Sequence, residues 1–227
     1  MQLSVSDAAA NLDVSEDTVY SWIRAGEIPF TKLNEQYRLN EVDLLEWAVA
    51  RGYRVSSETL EKAQGDAANL ALPAALERGG LHRLEGKRDR GELMALLVGG
   101  VAGLGEADRE VLLDLLLASE SLGPTGLGGG IAIPHVRAPV VVQGAEASVR
   151  VWYLGEPVRY FGAADNTPVD TLFFLVTPTP RVHLQLVSQL MMALHDGAFR
   201  KSLRERAPLE VLLADAKRLE RARPGRS

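Results

Sequence analysis

Gly126, Gly128, Gly129 and Gly130 stand just ahead of the short apolar run Ile131-Ala132-Ile133, and Pro134 then hands the chain over to His135. Four glycines in five positions suit neither a helix nor an ordinary strand, because glycine loses more chain entropy on ordering than any other residue. Such a run turns backbone N–H groups toward a common point, and an anion is the usual guest. Pro134 fixes its own φ and pushes Ile133 into extended backbone, so His135 is delivered at a rigid strand end. The chemistry this spells is phosphoryl acceptance. A neutral imidazole nitrogen is nucleophilic near neutral pH when the other ring nitrogen is held as a donor.

Those residues need a frame. After the glycine run, 147–154 and 171–176 read as strands, and the second is apolar throughout (Thr171 to Val176), as a strand covered on both faces must be. Helices are expected over 91–103, 106–119, 183–195, 198–206 and 208–219. The 106–119 helix carries Val111, Leu112, Leu113, Leu115, Leu116 and Leu117 almost all round, which predicts burial. Helices before, strands between and helices after predict an α/β three-layer sandwich with a mixed sheet and helices on both faces.

The first 51 residues read differently, as a small α-helical winged helix-turn-helix. Ser6 is placed to cap a helix ending at Leu12, and Asp13-Val14-Ser15 makes a tight turn. A second helix, Glu16 to Ala25, has Ser15 as its cap and Gly26 as its stop. Residues 29–39 alternate weakly, as a hairpin or wing does, and a third helix over 40–51 sets Val42, Leu45 and Trp47 near the core. Residues 52–71 read as a linker, 72–218 as the second domain and 219–227 as a basic flexible tail.

Composition narrows the class. The chain has 227 residues, no cysteine and four histidines: His82, His135, His183 and His195. No apolar stretch approaches the roughly 20 residues of a membrane helix, and no signal-peptide pattern opens the chain, so a cytoplasmic location without membrane contact is expected. No carboxylate–histidine cluster has metal-ligand spacing, and no cofactor is implied. Net charge is −5. Nine acids against four bases in residues 1–51 already amount to −5, so the remainder is neutral in sum.

Residues Gly123 to His135 resemble the active-site signature of the enzyme IIA domains of the bacterial sugar phosphotransferase system, in the fructose/mannitol and nitrogen-regulatory branch. Asn166-Thr167-Pro168-Val169-Asp170 ahead of Phe173-Phe174, and His183-Leu184 opening a helix, resemble two further blocks in the right order. The resemblance implies that His135 accepts a phosphoryl group from the phosphocarrier HPr or a nitrogen-branch relative, and that His183 orients the phosphoryl group or the ring. It makes the domain a phosphoryl carrier rather than a turnover enzyme, with an enzyme IIB as a possible recipient. Arg137 and Arg181, each two residues from a key histidine, are candidates to balance the added charge. Where the family has an Arg-Glu pair before the glycine run, this chain has Ser119-Glu120, which removes one phosphate-binding charge.

Val14 to Pro29 resembles the excisionase/MerR-type winged helix-turn-helix, whose second helix enters the major groove. By position, Thr18, Tyr20 and Ser21 face bases or phosphates, and Arg24, Lys32 and Arg38 face phosphates. Three cations are a thin supply for a segment of net −5, so a DNA-binding form is expected to be a dimer or higher oligomer. The leading reading is a phosphotransferase-linked DNA-binding regulator. Its alternatives are a carrier whose first domain docks proteins, and a pseudo-domain whose His135 is never phosphorylated.

Overall fold

The computed structural model describes residues 2–28, 30–33, 36–41, 44, 47–48, 53, 71–101, 103–122, 125–135, 146–162 and 165–222. Two compact units emerge, residues 1–69 with 180–191 and residues 70–179 with 192–227.

In the first unit, α1 (Val5–Leu12) opens on a capping box, with Ser4 accepting from the Asp7 N–H while the Asp7 carboxylate accepts from the Ser4 N–H. The cap is therefore Ser4 rather than Ser6, because only Ser4 has an acid three residues ahead. Asp13 takes the left-handed conformation, and α2 (Glu16–Ala25) starts from the Ser15 cap and ends on left-handed Gly26, as the sequence predicts. Strands β2 (Thr31–Leu33) and β3 (Gln36–Asn40) form the expected hairpin, and β1 (Gln2–Leu3) adds to it in the order β1-β3-β2. Asn40 is thus a strand residue opposite Gln2, not the start of a helix. Leu44, Trp47 and Ala48 are helical and buried at i, i+3 and i+4. The expected core residues Val42 and Leu45 lie outside the described residues. Trp22, Trp47 and Tyr53 cluster with ring centroids 4.8–5.2 Å apart.

The second unit is built on a mixed five-stranded sheet. Its helices are α3 (Leu72–Gly79), α4 (Arg90–Gly99), α5 (Glu106–Leu122), α7 (Gly197–Arg204) and α8 (Leu209–Arg221); α6 (Pro180–His195) begins in the first unit's residues. Its strands β4 (Leu81–Leu84), β5 (Gly126–Gly128), β6 (Ile131–Ala132), β7 (Ser148–Val158) and β8 (Val169–Val176) run in the order β4-β7-β8-β6-β5. The β4–β7 and β6–β8 pairs are parallel and the other two antiparallel. Leu172, Phe174 and Val176 pack with Leu93, Leu97, Leu112 and Leu116 of α4 and α5, while Phe173 is equally buried on the opposite face of β8. The run 171–176 is apolar throughout for that reason.

Four elements of this unit depart from the sequence reading, α3 among them, since no helix is expected over 72–79. β4 carries no alternation and is visible only through its parallel pairing with β7. The glycine run supplies a real strand, β5, with an irregular register between Gly126 and Gly128. On α5, Val111 is 58% exposed and Leu115 36%, so the helix is amphipathic rather than buried all round. It packs through buried Leu112 and Leu116, with Leu113 and Leu117 half-buried beside them.

Gly79, at the end of α3, lies where a Cβ would fall on the Val149 carbonyl and 2.8 Å from the Arg150 nitrogen. Backbone cannot step aside as a side-chain tip does, so Gly79→Ala is expected to destabilise the protein by about 1–3 kcal/mol. Gly99→Ala, where nothing lies within 4 Å, is expected to gain about 0.5–1 kcal/mol. Urea unfolding of the two variants checks the contrast, and equal midpoints would refute it.

Candidate functional site

β6 runs parallel to β8, with Ile131 opposite Thr171 and Ala132 opposite Leu172, so His135 leaves the sheet beyond the C-terminal end of β6. Ligands of α/β sheets gather at such ends. Ile133 and Pro134 are buried, and His135 is half-buried. Its Nδ1 lies 2.8 Å from the Ile133 carbonyl oxygen. A carbonyl oxygen only accepts, so Nδ1 holds the proton and Nε2 carries the lone pair. The ring is thus set in one tautomer, with the lone pair on Nε2.

The glycines do something other than line that nitrogen. Gly128, Gly129 and Gly130 all have positive φ (89°, 60° and 83°) and make the turn between β5 and β6. That turn sits at the start of β6, and His135 lies past its other end. The anion the turn meets is the chain's own, for Gly129 N–H donates to Asp165 Oδ2 at 2.7 Å. Gly126 N–H donates to the Phe161 carbonyl at 3.0 Å. The Gly130 carbonyl accepts from the Asp170 and Thr171 N–H groups. A Cβ on Gly129 would strike the Arg200 guanidinium, and one on Gly130 would stand 3.1 Å from Asp170 Oδ1. Gly128, Gly129 and Gly130 are glycine because of positive φ and crowding, and the N–H groups of Gly126 and Gly129 are spent inside the chain.

Asp165 was not singled out from the sequence. Its signal is local: the carboxylate also accepts from the Thr167 N–H at 3.0 Å, an Asx turn around left-handed Asn166. The Gly129 N–H above all, and then the Thr167 N–H, hold its carboxyl down at about 2. A depressed pKa of this kind contributes stability above the ordinary carboxylate value near 4, and that contribution is lost as pH falls through about 2. The stability gap between the wild-type protein and Asp165→Asn should therefore narrow between pH 4 and pH 2. Chemical unfolding at several pH values measures it, and a constant gap would refute the assignment.

Glu120, at 7% exposure, and Thr125, at 8%, lie buried at the base of the same hairpin. Thr125 Oγ1 donates to Glu120 Oε1 at 2.5 Å, and the Thr125 carbonyl accepts from the Ile133 N–H at 3.1 Å. Ser119 is buried at 6%. Of the remaining expected site residues, His183 is half-buried in α6 and Arg181 lies in its first turn, in residues assigned to the first unit. Arg137 lies outside the described residues, as does the side chain of Arg181. His82 stacks on Trp152 at 4.5 Å and pairs with the Gly79 carbonyl. Among the described residues no cluster of three His, Asp or Glu stands ready for a metal, and no helix is long and apolar enough to cross a membrane.

In the first unit several candidate DNA contacts are occupied locally. Thr18 Oγ1 bonds Ser15 Oγ at 2.8 Å, and Ser21 Oγ donates to the Thr18 carbonyl at 2.7 Å. Tyr20 packs edge-on against Tyr37 at 6.1 Å. Arg38 donates to Gln36 Oε1 at 2.7 Å, while Arg24 and Lys32 are exposed.

Sheet, hairpin and histidine define a class, and comparison with known proteins gives it a family. Residues 88–214, more than half of the chain, match the family described as phosphoenolpyruvate-dependent sugar phosphotransferase system, EIIA 2, and residues 3–52 match a helix-turn-helix domain. The chain belongs to the EIIA 2 family and carries a helix-turn-helix domain ahead of it. It is 38% identical over 112 residues to the nitrogen regulatory protein of Pseudomonas aeruginosa, covering 48% of this chain and 70% of that one. It is 32% identical over 129 residues to the 2-O-alpha-mannosyl-D-glycerate-specific EIIABC component of Escherichia coli, covering 55% of this chain but 19% of that protein. The crystal structure of the nitrogen regulatory protein IIA-Ntr from Neisseria meningitidis, 30% identical, covers 60% of this chain and 92% of its own with a TM-score of 0.48.

Proposed function

We propose that the chain is a phosphotransferase-linked regulator in which residues 72–218 form the IIA domain, residues 1–51 bind DNA, and 52–71 link the two. His135 Nε2 takes the phosphoryl group from a phosphocarrier, HPr or a nitrogen-branch relative. An N–P bond forms as the donor's bond to phosphorus breaks. The single observation that carries this reading is the Nδ1–Ile133 hydrogen bond, which leaves Nε2 as the nucleophile on a rigidly presented ring. His183 orients the phosphoryl group, and Arg137 and Arg181 balance the added charge of about −1.5 to −2. With Ser119 in place of the family arginine, those two carry more of that load.

On the DNA side Arg24, Lys32 and Arg38 contact phosphates, with the β2–β3 hairpin as the wing and Thr18, Tyr20 and Ser21 toward the groove. The local bonds of those three leave backbone phosphates as the main contribution to affinity, which a dimer doubles. Phosphorylation of His135 then biases DNA affinity. The test is DNA binding measured before and after phosphorylation by purified phosphocarrier, over a salt series. A several-fold change in affinity is expected, and Arg24→Ala/Arg38→Ala should lower the slope of log affinity against log salt by about 2 per protomer. Affinity independent of both changes would sink the regulator.

A second reading is favoured by the acid excess of residues 1–51, nine acids against four bases. There the first domain docks a protein, and His135 passes its phosphoryl group to an enzyme IIB. Labelling of His135 without any DNA binding would select it.

A further inference from the structure

We propose that Glu120 and Thr125 are positioning residues for His135, acting through Ile133. This rests on the reading of His135 as phosphoryl acceptor, and adds the part of the chain that sets its ring. Three hydrogen bonds run in series. Thr125 Oγ1 donates to Glu120 Oε1 at 2.5 Å, the Ile133 N–H donates to the Thr125 carbonyl at 3.1 Å, and His135 Nδ1 donates to the Ile133 carbonyl at 2.8 Å. Every residue between the carboxylate and the ring is buried: Glu120 at 7%, Thr125 at 8%, Ile133 at 5%, with Pro134 buried beside it.

Each link has a distinct task. Thr125 Oγ1 donates to the Glu120 carboxyl oxygen, and that bond fixes the threonine rotamer. The Thr125 carbonyl then holds the last pairing of the β5–β6 hairpin, at the end where the chain leaves the sheet. Pro134 limits the backbone torsion just beyond Ile133, so the Ile133 carbonyl has little freedom once its N–H is held. That carbonyl decides which ring nitrogen keeps the proton. The polar pair is also a poor choice on grounds of packing alone. A buried carboxylate and hydroxyl must be desolvated, and an apolar pair of the same shape would serve the hairpin at no such cost. Its presence where the Ile133 backbone is held is accounted for if the carboxyl group's task is orientation. Outer-shell hydrogen-bond partners of metal-ligating histidines change affinity or activity by about 10–100-fold when removed, and an effect of that order is expected here.

The decisive measurement is the tautomer of His135 in the unphosphorylated protein, read from long-range ¹H–¹⁵N NMR of the ring, together with the rate of labelling by phosphocarrier. Wild type is expected to carry its proton on Nδ1. Thr125→Val, which keeps the shape and removes the hydroxyl, should show a mixed tautomer and label about 10–100-fold more slowly. Thr125→Ser should restore both. Glu120→Leu breaks the same bond from the other end and supplies the measurement where Thr125→Val does not fold. A merely structural role would lower the melting temperature and leave the tautomer alone. A folded Thr125→Val or Glu120→Leu protein with the wild-type tautomer overturns the proposal. Wild-type protein that takes no label would instead remove the acceptor role, while the tautomer comparison still judges the positioning.

Discussion

Replacing His135 with alanine is expected to abolish labelling by phosphocarrier, a loss on the order of 10³-fold or more, because no other group inherits the nucleophile. The change should spare the fold. The ring is half-buried at a strand exit, and its intrachain bond to the Ile133 carbonyl is made by a side chain that leaves the sheet pairing untouched. Two histidines bracket the result. His183→Ala should slow labelling without ending it, since its task is orientation. His82→Ala should leave labelling unchanged, because that ring is occupied by Trp152 and the Gly79 carbonyl. Radiolabel transfer and circular dichroism on the three variants separate chemistry from folding. Undiminished labelling of His135→Ala would end the phosphohistidine reading.

The second large effect is on stability. Phe161 is fully buried against the core that α4 and α5 share with β8, and its carbonyl accepts the Gly126 N–H. Truncation to alanine removes a ring from a close-packed site that cannot collapse around it, at a cost of about 3–5 kcal/mol. For a chain of this length that lowers the melting temperature by roughly 6–20 °C. The irregular β5 edge leans on the same residue, so the glycine hairpin should loosen before the rest of the sheet. Calorimetry gives the first number and amide exchange at Gly126 the second. A melting temperature within two or three degrees of wild type would refute the burial argument.

Much of the site could be read along the chain. Proline before histidine after an apolar strand announced a rigid imidazole, and Ser15 with Gly26 bounded α2 on both sides. These are local signals. A cap, a blocked φ or a left-handed turn involves residues within four or five positions of each other, and side-chain type alone determines them. The Ser4 cap was equally legible through Asp7, three residues on, and the competing Ser6 has no such acid. Composition misled on α5, where six apolar residues suggest complete burial but a helix lying against one layer covers only the stripe that touches it.

By itself, then, the sequence determined a histidine rigidly presented at the end of a short strand, a helix-turn-helix domain ahead of an enzyme IIA domain, and the turns that glycine must make. Tertiary structure decided what each of those features faces. Gly129 meets Asp165 across 36 residues, so the turn that resembled a cradle for a foreign anion is closed by the chain's own carboxylate. Thr125 meets Glu120 across a loop and Ile133 across a hairpin, so a carboxylate at the end of α5 reaches the ring of His135. The Gly129–Asp165 pairing depends on strand order and register, which long-range packing sets, whereas the Glu120–Thr125 contact, five positions apart, depends on how α5 meets the hairpin.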